Sequence, residues 1–275
     1  MPLLHILVLA VVQGITEFLP INSSGHLILV PGVTGWPDQG LAIDVAAHVG
    51  TLVAVLVYFW RDVLAMLAGL GRLLSGRMDD GARLALLIAV ATLPALAIGF
   101  LVQHFLGDRL RSIHIVAWTM IIFGVVLYAA DRIGLTVRRL EHMKWSQALV
   151  IGIAQTLAFV PGTSRSGITI VAARLFGFER VEAARFSFLL STPLIAGAAA
   201  KELPKLLKAH QAGAMDIPMS TLGIGVAVSA IVGYLVIAFF LRYLQTRTLK
   251  IFIYYRILFG IVVLSLWFLK LGFAR

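Results

Sequence analysis

The chain contains no cysteine, which excludes disulfides and thiolate metal centres and leaves any metal to oxygen or imidazole ligands. Charge is scarce as well: 13% of the 275 residues are charged, against 60% that are hydrophobic. No soluble core needs that much apolar surface, and the composition is that of a multi-span membrane protein. The opening Met-Pro-Leu-Leu-His lacks the basic region that precedes the apolar core of a signal peptide, so the first apolar run is expected to be retained. What charge there is sums to +10. Basic loops beside anionic lipid head groups account for that surplus, and nucleic acid is not expected as a partner.

A spanning helix needs roughly 20 predominantly apolar residues, and six segments reach that length, at about 41–60, 84–104, 113–131, 183–200, 218–241 and 251–271. The runs 3–30 and 146–176 differ. Each is long enough for a span and a half, yet each is interrupted in its middle by proline, glycine and hydroxyl residues. The simplest reading is two short half-helices joined by a loop at membrane depth, entering and leaving on one side. The expected fold class is therefore an all-α polytopic membrane protein, with six full transmembrane helices plus two re-entrant half-helix hairpins. Each half, 1–145 and 146–275, is one hairpin followed by three crossings. Because three is odd, the second half is an inverted repeat of the first.

This topology sorts the basic residues onto two sides. One side takes Arg61, Arg72, Arg77, Arg83, Arg132, Arg138, Arg139, Lys144, Arg174, Arg180, Arg185, Arg242, Arg247 and Lys250; the other takes Arg109, Arg111, Lys201, Lys205, Lys208, Lys270 and Arg275. The bias puts the first side in the cytoplasm, with both termini and the mouth of the first hairpin outside. Arg165 and Arg256 fall inside membrane segments, where an ionisable group is a functional candidate by default. For Arg256 the plainer expectation is a carboxylate partner, or snorkelling toward the cytoplasmic end of its helix.

Polar side chains crowd into the two interrupted runs. Residues 13–26 read Gln-Gly-Ile-Thr-Glu-Phe-Leu-Pro-Ile-Asn-Ser-Ser-Gly-His, and residues 155–169 read Gln-Thr-Leu-Ala-Phe-Val-Pro-Gly-Thr-Ser-Arg-Ser-Gly-Ile-Thr. Aligned without a gap, Gln13 falls on Gln155, Ser24 on Ser166 and Gly25 on Gly167. The pair reads as two halves of one active site. Gln13 and Glu17, four apart, share a helix face. Asn22, Ser23 and Ser24 follow Pro20, and Ser164, Arg165, Ser166 and Thr169 follow Pro161, at positions that suit N-caps. As isolated caps they would carry no function, but the arrangement occurs twice. Helix N-termini attract anions, and the Arg165 guanidinium can grip phosphate oxygens in a fork, so the expected ligand is a phosphate. Glu17 then serves as ligand of a bridging divalent cation, or as a base. His26 sits three residues after Ser23, which leaves two schemes open: Ser23 as nucleophile with His26 as base, or His26 itself attacking phosphorus. His48 is a supporting possibility at most. The other five histidines offer no metal-ligand spacing.

At these residues the chain resembles the undecaprenyl-diphosphate phosphatase family, the membrane enzymes associated with bacitracin resistance. The likeness runs through 13–26 and 161–169, and continues in Val-Tyr-Phe-Trp-Arg at 57–61 and Phe-Ser-Phe-Leu-Leu at 186–190. It implies hydrolysis of undecaprenyl diphosphate to the monophosphate and inorganic phosphate. It also implies Glu17 as a metal-associated or acid–base carboxylate, Ser23 and His26 at the phosphate and Arg165 as its clamp. Ser24, Ser164, Ser166 and Thr169 are the supporting phosphate-binding hydroxyls. The family's first acidic motif position is Glu or Gln, and Gln13 occupies it here, which weakens schemes needing two carboxylates on a metal. The resemblance further suggests Mg²⁺ or Ca²⁺ at Glu17 and Gln13, a polyprenyl diphosphate taken laterally from the bilayer and the bacterial inner membrane as location; with the termini and the first hairpin outside, the cavity is expected to open outward. A homodimer is among the assemblies this allows. The competing expectation, from the broken helices of an inverted repeat, is a lipid-phosphate flippase or secondary transporter.

Overall fold

The structure is a computed structural model that describes residues 2–37, 39–105, 112–212 and 217–269. Eleven α-helices run through them: α1 (Leu3–Thr16), α2 (Ser23–Thr34), α3 (Gly40–Tyr58), α4 (Trp60–Leu73), α5 (Asp80–Phe105), α6 (Ile113–Ile133), α7 (Trp145–Gln155), α8 (Arg165–Leu175), α9 (Arg180–Gln211), α10 (Met219–Thr246) and α11 (Lys250–Phe268). Six of them, α3, α5, α6, α9, α10 and α11, are long and apolar enough to cross a membrane. They coincide with the six expected spans. The polar flanks of α9, Arg180 to Glu182 and Lys201 to Gln211, extend it well beyond the apolar stretch at 183–200, because Glu, Lys, Arg and Ala carry a helix as readily outside an apolar layer as within it. Arg109, Arg111, Lys270 and Arg275 of the basic-residue count lie outside the described residues, as does the end of the last expected span.

The interrupted runs are pairs of short helices. α1, α2, α7 and α8 have 14, 12, 11 and 11 residues. At about 1.5 Å per residue none of these approaches the roughly 30 Å of a hydrocarbon layer. α1 and α2 pack on each other across the turn 17–22, as do α7 and α8 across 156–164. Helix α4 was not legible as a span, because its apolar residues form a stripe rather than a run: Val63, Met66, Leu67 and Leu70 fall at i, i+3, i+4 and i+7, with Arg61, Asp62 and Arg72 on other faces.

The two halves interlock. α1 packs against α10 of the second half, and α7 packs against α5 of the first. Close approach at these seams needs glycine. A Cβ on Gly152 of α7 would stand 2.2 Å from the Ala91 carbonyl oxygen of α5. In the α3–α10 seam a Cβ on Gly50 would stand 2.4 Å from the Val226 oxygen, and nearby Ser229 Oγ donates to the Ala47 carbonyl at 2.8 Å. The core is aromatic at the level of the first loop. Phe18, fully buried, meets Phe188 edge-on at 5.3 Å, and Phe240 meets Phe252 at 5.1 Å. Burying Phe18 fixes its neighbour Glu17.

One end of the bundle gathers buried and half-buried charge. Arg174 donates to the carbonyls of Gly134 at 2.7 Å and Leu135 at 3.0 Å, and Asp131 accepts from Arg180 Nε at 2.6 Å and from the Leu249 amide at 3.2 Å. Arg185 pairs with Asp62 at 2.5 Å, and Arg83 reaches the Glu141 carbonyl at 2.9 Å.

Candidate active site

The turns of the two hairpins meet. Ser166 Oγ donates to the Leu19 carbonyl at 3.2 Å. Arg256, fully buried on α11, donates from Nη1 to the Pro20 carbonyl at 3.1 Å and from Nη2 to the carbonyls of Gly162 at 3.0 Å and Thr163 at 2.8 Å. Its partners are backbone carbonyls of both turns, where the sequence offers a carboxylate or snorkelling toward the end of the helix. The turns also share a conformation. Asn22 and Ser164, equivalent in the ungapped alignment, are the two non-glycine residues with positive φ among those described, at φ 73°, ψ 103° and φ 71°, ψ 113°. Such a conformation costs on the order of 1–3 kcal/mol and persists only where its surroundings enforce it. Each residue then opens a helix, and each bonds two positions on, Ser24 Oγ to Asn22 Oδ1 at 3.0 Å and Ser164 Oγ to Ser166 Oγ at 3.2 Å.

The equivalent residues after them, Ser23 and Arg165, both reach Glu17. Ser23 Oγ donates to Glu17 Oε2 at 2.8 Å, Gln13 Nε2 donates to the same oxygen at 3.0 Å, and Arg165 Nη2 donates to Oε1 at 2.5 Å. A hydroxyl from the first half and a guanidinium from the second thus share one buried carboxylate. Glu17 and Arg165 line a cavity of about 480 Å³, together with Asp44, His48, Gln155 and Glu202 and an apolar wall that includes Ala95 and Ile195.

The other expected residues are placed differently. His26 does not reach Ser23: Nδ1 lies 2.6 Å from the Asn22 carbonyl and Nε2 lies 2.7 Å from Tyr255 Oη, with the ring stacked on Phe259 at 4.4 Å. A carbonyl only accepts, so Nδ1 carries the proton and the neutral ring accepts at Nε2 from the tyrosine. Ser164 Oγ accepts from the Gly167 amide at 3.1 Å and caps α8. Thr169 Oγ1 donates to the Arg165 carbonyl at 2.9 Å and lies 2.6 Å from Ser187 Oγ, away from the cavity. Ser24 is exposed at the start of α2. Two residues proved nearer than their spacing suggested. His48 Nδ1 donates to the Asp44 carbonyl at 2.7 Å, which leaves Nε2 facing Glu17 Oε2 at 3.9 Å. Gln155 is buried on the cavity wall with neither amide atom hydrogen-bonded. The signal for His48 was present in the sequence, since Asp44 and His48 put two ionisable groups one turn apart in an apolar span.

Among the described residues no three His, Asp or Glu side chains come together as a metal-binding group. Beside Glu17, however, Gln13 Oε1 is buried without a hydrogen-bond partner. One carboxylate and one free amide oxygen suit an ion that draws most of its ligands from substrate oxygens and water, as magnesium does.

Comparison with known proteins shows the family. The family model described as Bacitracin resistance protein BacA matches residues 6–262. The chain belongs to the BacA family. This BacA-family chain is 47% identical over 259 residues to the undecaprenyl-diphosphatase of Alcanivorax borkumensis, covering 94% of the chain and 96% of the relative. It is 46% identical over 277 residues to undecaprenyl-diphosphatase 1 of Rhodospirillum rubrum, covering 98% and 96%. With the undecaprenyl-diphosphatase of Saccharophagus degradans it shares 46% over 269 residues, 98% of the chain and all of the relative. The matched span contains both turns and with them Glu17, Ser23 and Arg165.

Proposed function

We propose that this BacA-family membrane protein hydrolyses undecaprenyl diphosphate to undecaprenyl phosphate and inorganic phosphate. It thereby recycles the lipid carrier of cell-wall synthesis in the bacterial inner membrane and confers bacitracin resistance. The observation that carries the proposal is the Glu17 carboxylate held between Ser23 Oγ and Arg165 Nη2 at the wall of a cavity with an apolar side. The names of the relatives point to the same substrate.

The geometry favours Ser23 over His26 as nucleophile. Ser23 Oγ already donates its proton to Glu17, whereas both His26 nitrogens are engaged elsewhere. As Ser23 Oγ bonds to the terminal phosphorus, the bridging P–O bond breaks, the hydroxyl proton passes to Glu17 and from there to the departing lipid phosphate. A water then attacks the phosphoserine; Glu17 takes its proton and returns one to Ser23 Oγ as inorganic phosphate leaves. Arg165, released from Glu17, forks the phosphoryl oxygens, and the backbone N–H groups at the starts of α2 and α8 add fixed dipoles of the right sign. Ser24, Ser164, Ser166 and Thr169 support this by shaping the two turns. A divalent cation, Mg²⁺ or Ca²⁺, would be held by Glu17 and Gln13 Oε1 and would neutralise diphosphate charge.

The halves 1–145 and 146–275 are taken as inverted repeats, which the shared conformation of Asn22 and Ser164 and the exchanged packing of α1 and α7 support. Both termini and the cavity mouth are placed on the periplasmic side. Supporting this, the cavity lies among the first half of α3 and the second half of α9, away from the charged end that holds Arg83, Arg174, Arg180 and Arg185. In a homodimer the site would still be complete within each chain, since Glu17, Ser23 and Arg165 come from one chain.

The test is phosphate release from a C55 or C15 prenyl diphosphate by the purified protein in detergent, with and without EDTA, beside Arg165→Ala. Release that Arg165→Ala abolishes is expected. No release from folded protein under any metal would favour a flippase or transporter instead.

A further inference from the structure

Beside the cavity of Glu17 and Arg165 lies a second one of about 540 Å³, an open groove bordered by α3, α4, α5 and α9. Its wall is hydrocarbon in effect. Leu52, Leu56, Met66, Leu70, Ala89 and Ala196 contribute apolar surface, and the two threonines present spend their hydroxyls inside their own helices. Thr92 Oγ1 donates to the Ile88 carbonyl at 2.7 Å, and Thr192 Oγ1 donates at 2.7 Å to the Leu189 carbonyl, which Pro193 leaves without its helical donor.

The two cavities share walls. One stripe of α3 faces both, with Leu41, Val45 and His48 in the first and Leu52 and Leu56 in the second. On α5 the neighbours Ala95 and Leu96 divide between them, and on α9 Ile195 and Ala196 do the same. The amphipathic helix α4 forms one side of the second cavity with its apolar stripe, and the cavity is an open groove with Leu67, Leu93 and Leu96 exposed along its mouth.

We propose that the second cavity is the seat of the substrate's polyprenyl chain, which runs from the diphosphate at Glu17 and Arg165 down the α3 stripe and under α4. This rests on the phosphatase reading. From His48 to Leu56 the stripe extends about 12 Å at 1.5 Å per residue, about the length of a C15 chain, so a C55 chain passes well under α4 while a C5 prenyl group ends near its entrance. Specificity for the long chain is then built from apolar burial remote from the chemistry.

The experiment measures kcat/KM for C55 and C5 prenyl diphosphates on the same preparation of full-length protein, with Ala89→Trp and, deeper along α5, Ala85→Trp filling the groove. The ratio of C55 to C5 is expected to fall about tenfold in either variant. Ile231→Trp, on an exposed face of α10 outside both cavities, should leave the ratio at its wild-type value. Partial misfolding cancels in a ratio. An unchanged ratio in both groove variants, as would follow if ordinary acyl chains fill the groove, overturns the proposal. Absence of phosphate release from either substrate by the wild type would instead overturn the phosphatase reading, and the groove's role with it.

Discussion

Replacing Arg256 by methionine would separate the two turns that meet at the site. The side chain is fully buried, and its three hydrogen bonds tie Pro20 of the first turn to Gly162 and Thr163 of the second. Bonds to a charged group are worth about 1.5–3 kcal/mol each, and removing the arginine leaves three carbonyls unpaired. The bonds share one guanidinium, and its removal also relieves the cost of burying a charge, so the net loss is about 3–5 kcal/mol. At roughly 2–4 °C per kcal/mol for a chain of 150–250 residues, the unfolding midpoint should fall by roughly 6–20 °C. Catalysis should suffer beyond the loss of folded protein, because a displacement of about 1 Å in catalytic groups can cost on the order of 10²-fold. Thermal unfolding in detergent, with phosphate release measured well below the variant's midpoint, reads both effects. Arg256→Met that unfolds within about 2 °C of wild type and turns over normally would refute the idea that this residue joins the half-sites.

Ser23→Ala should reduce phosphate release at least about 10³-fold. His26→Ala, which removes a ring packed between Asn22, Tyr255 and Phe259, should show its main effect in the unfolding midpoint and lose less activity than Ser23→Ala. Arg165→Lys keeps the charge but not the fork, so the same release assay should show a loss of about 10-fold or more in kcat/KM. Gly152→Ala places a methyl against the Ala91 carbonyl of α5, and the overpacking should cost about 1–3 kcal/mol in a thermal unfolding measurement.

The spans were legible because twenty apolar residues in a row have one physical meaning, and the two broken runs because proline, glycine and hydroxyls have no place in an ordinary span. The pairing of the turns was legible too, through the ungapped match of Gln13 with Gln155 and Ser24 with Ser166. Hidden from the sequence were features set by partners far along the chain. His26 lies on the same helix turn as Ser23, which suggested a chemical link, yet its partner Tyr255 is 229 positions away. For Arg256 the sequence offered a carboxylate partner or snorkelling, and the actual partners are neutral backbone carbonyls of two turns. Helix α4 was missed because an amphipathic stripe produces no long apolar run. The matching backbone of Asn22 and Ser164 was hidden for another reason: neither residue is glycine, and only Asn22 is of a type that favours positive φ.

The central claim is that Ser23, activated by Glu17 and faced by Arg165, attacks the terminal phosphorus. The most direct measurement is an acid quench during turnover of prenyl diphosphate labelled in its terminal phosphate, followed by identification of the labelled peptide. Acid-stable label on Ser23, absent from Ser23→Ala and still present in His26→Ala, is the result expected. Label that is lost in acid but retained under alkaline conditions, on the peptide carrying His26, would contradict it.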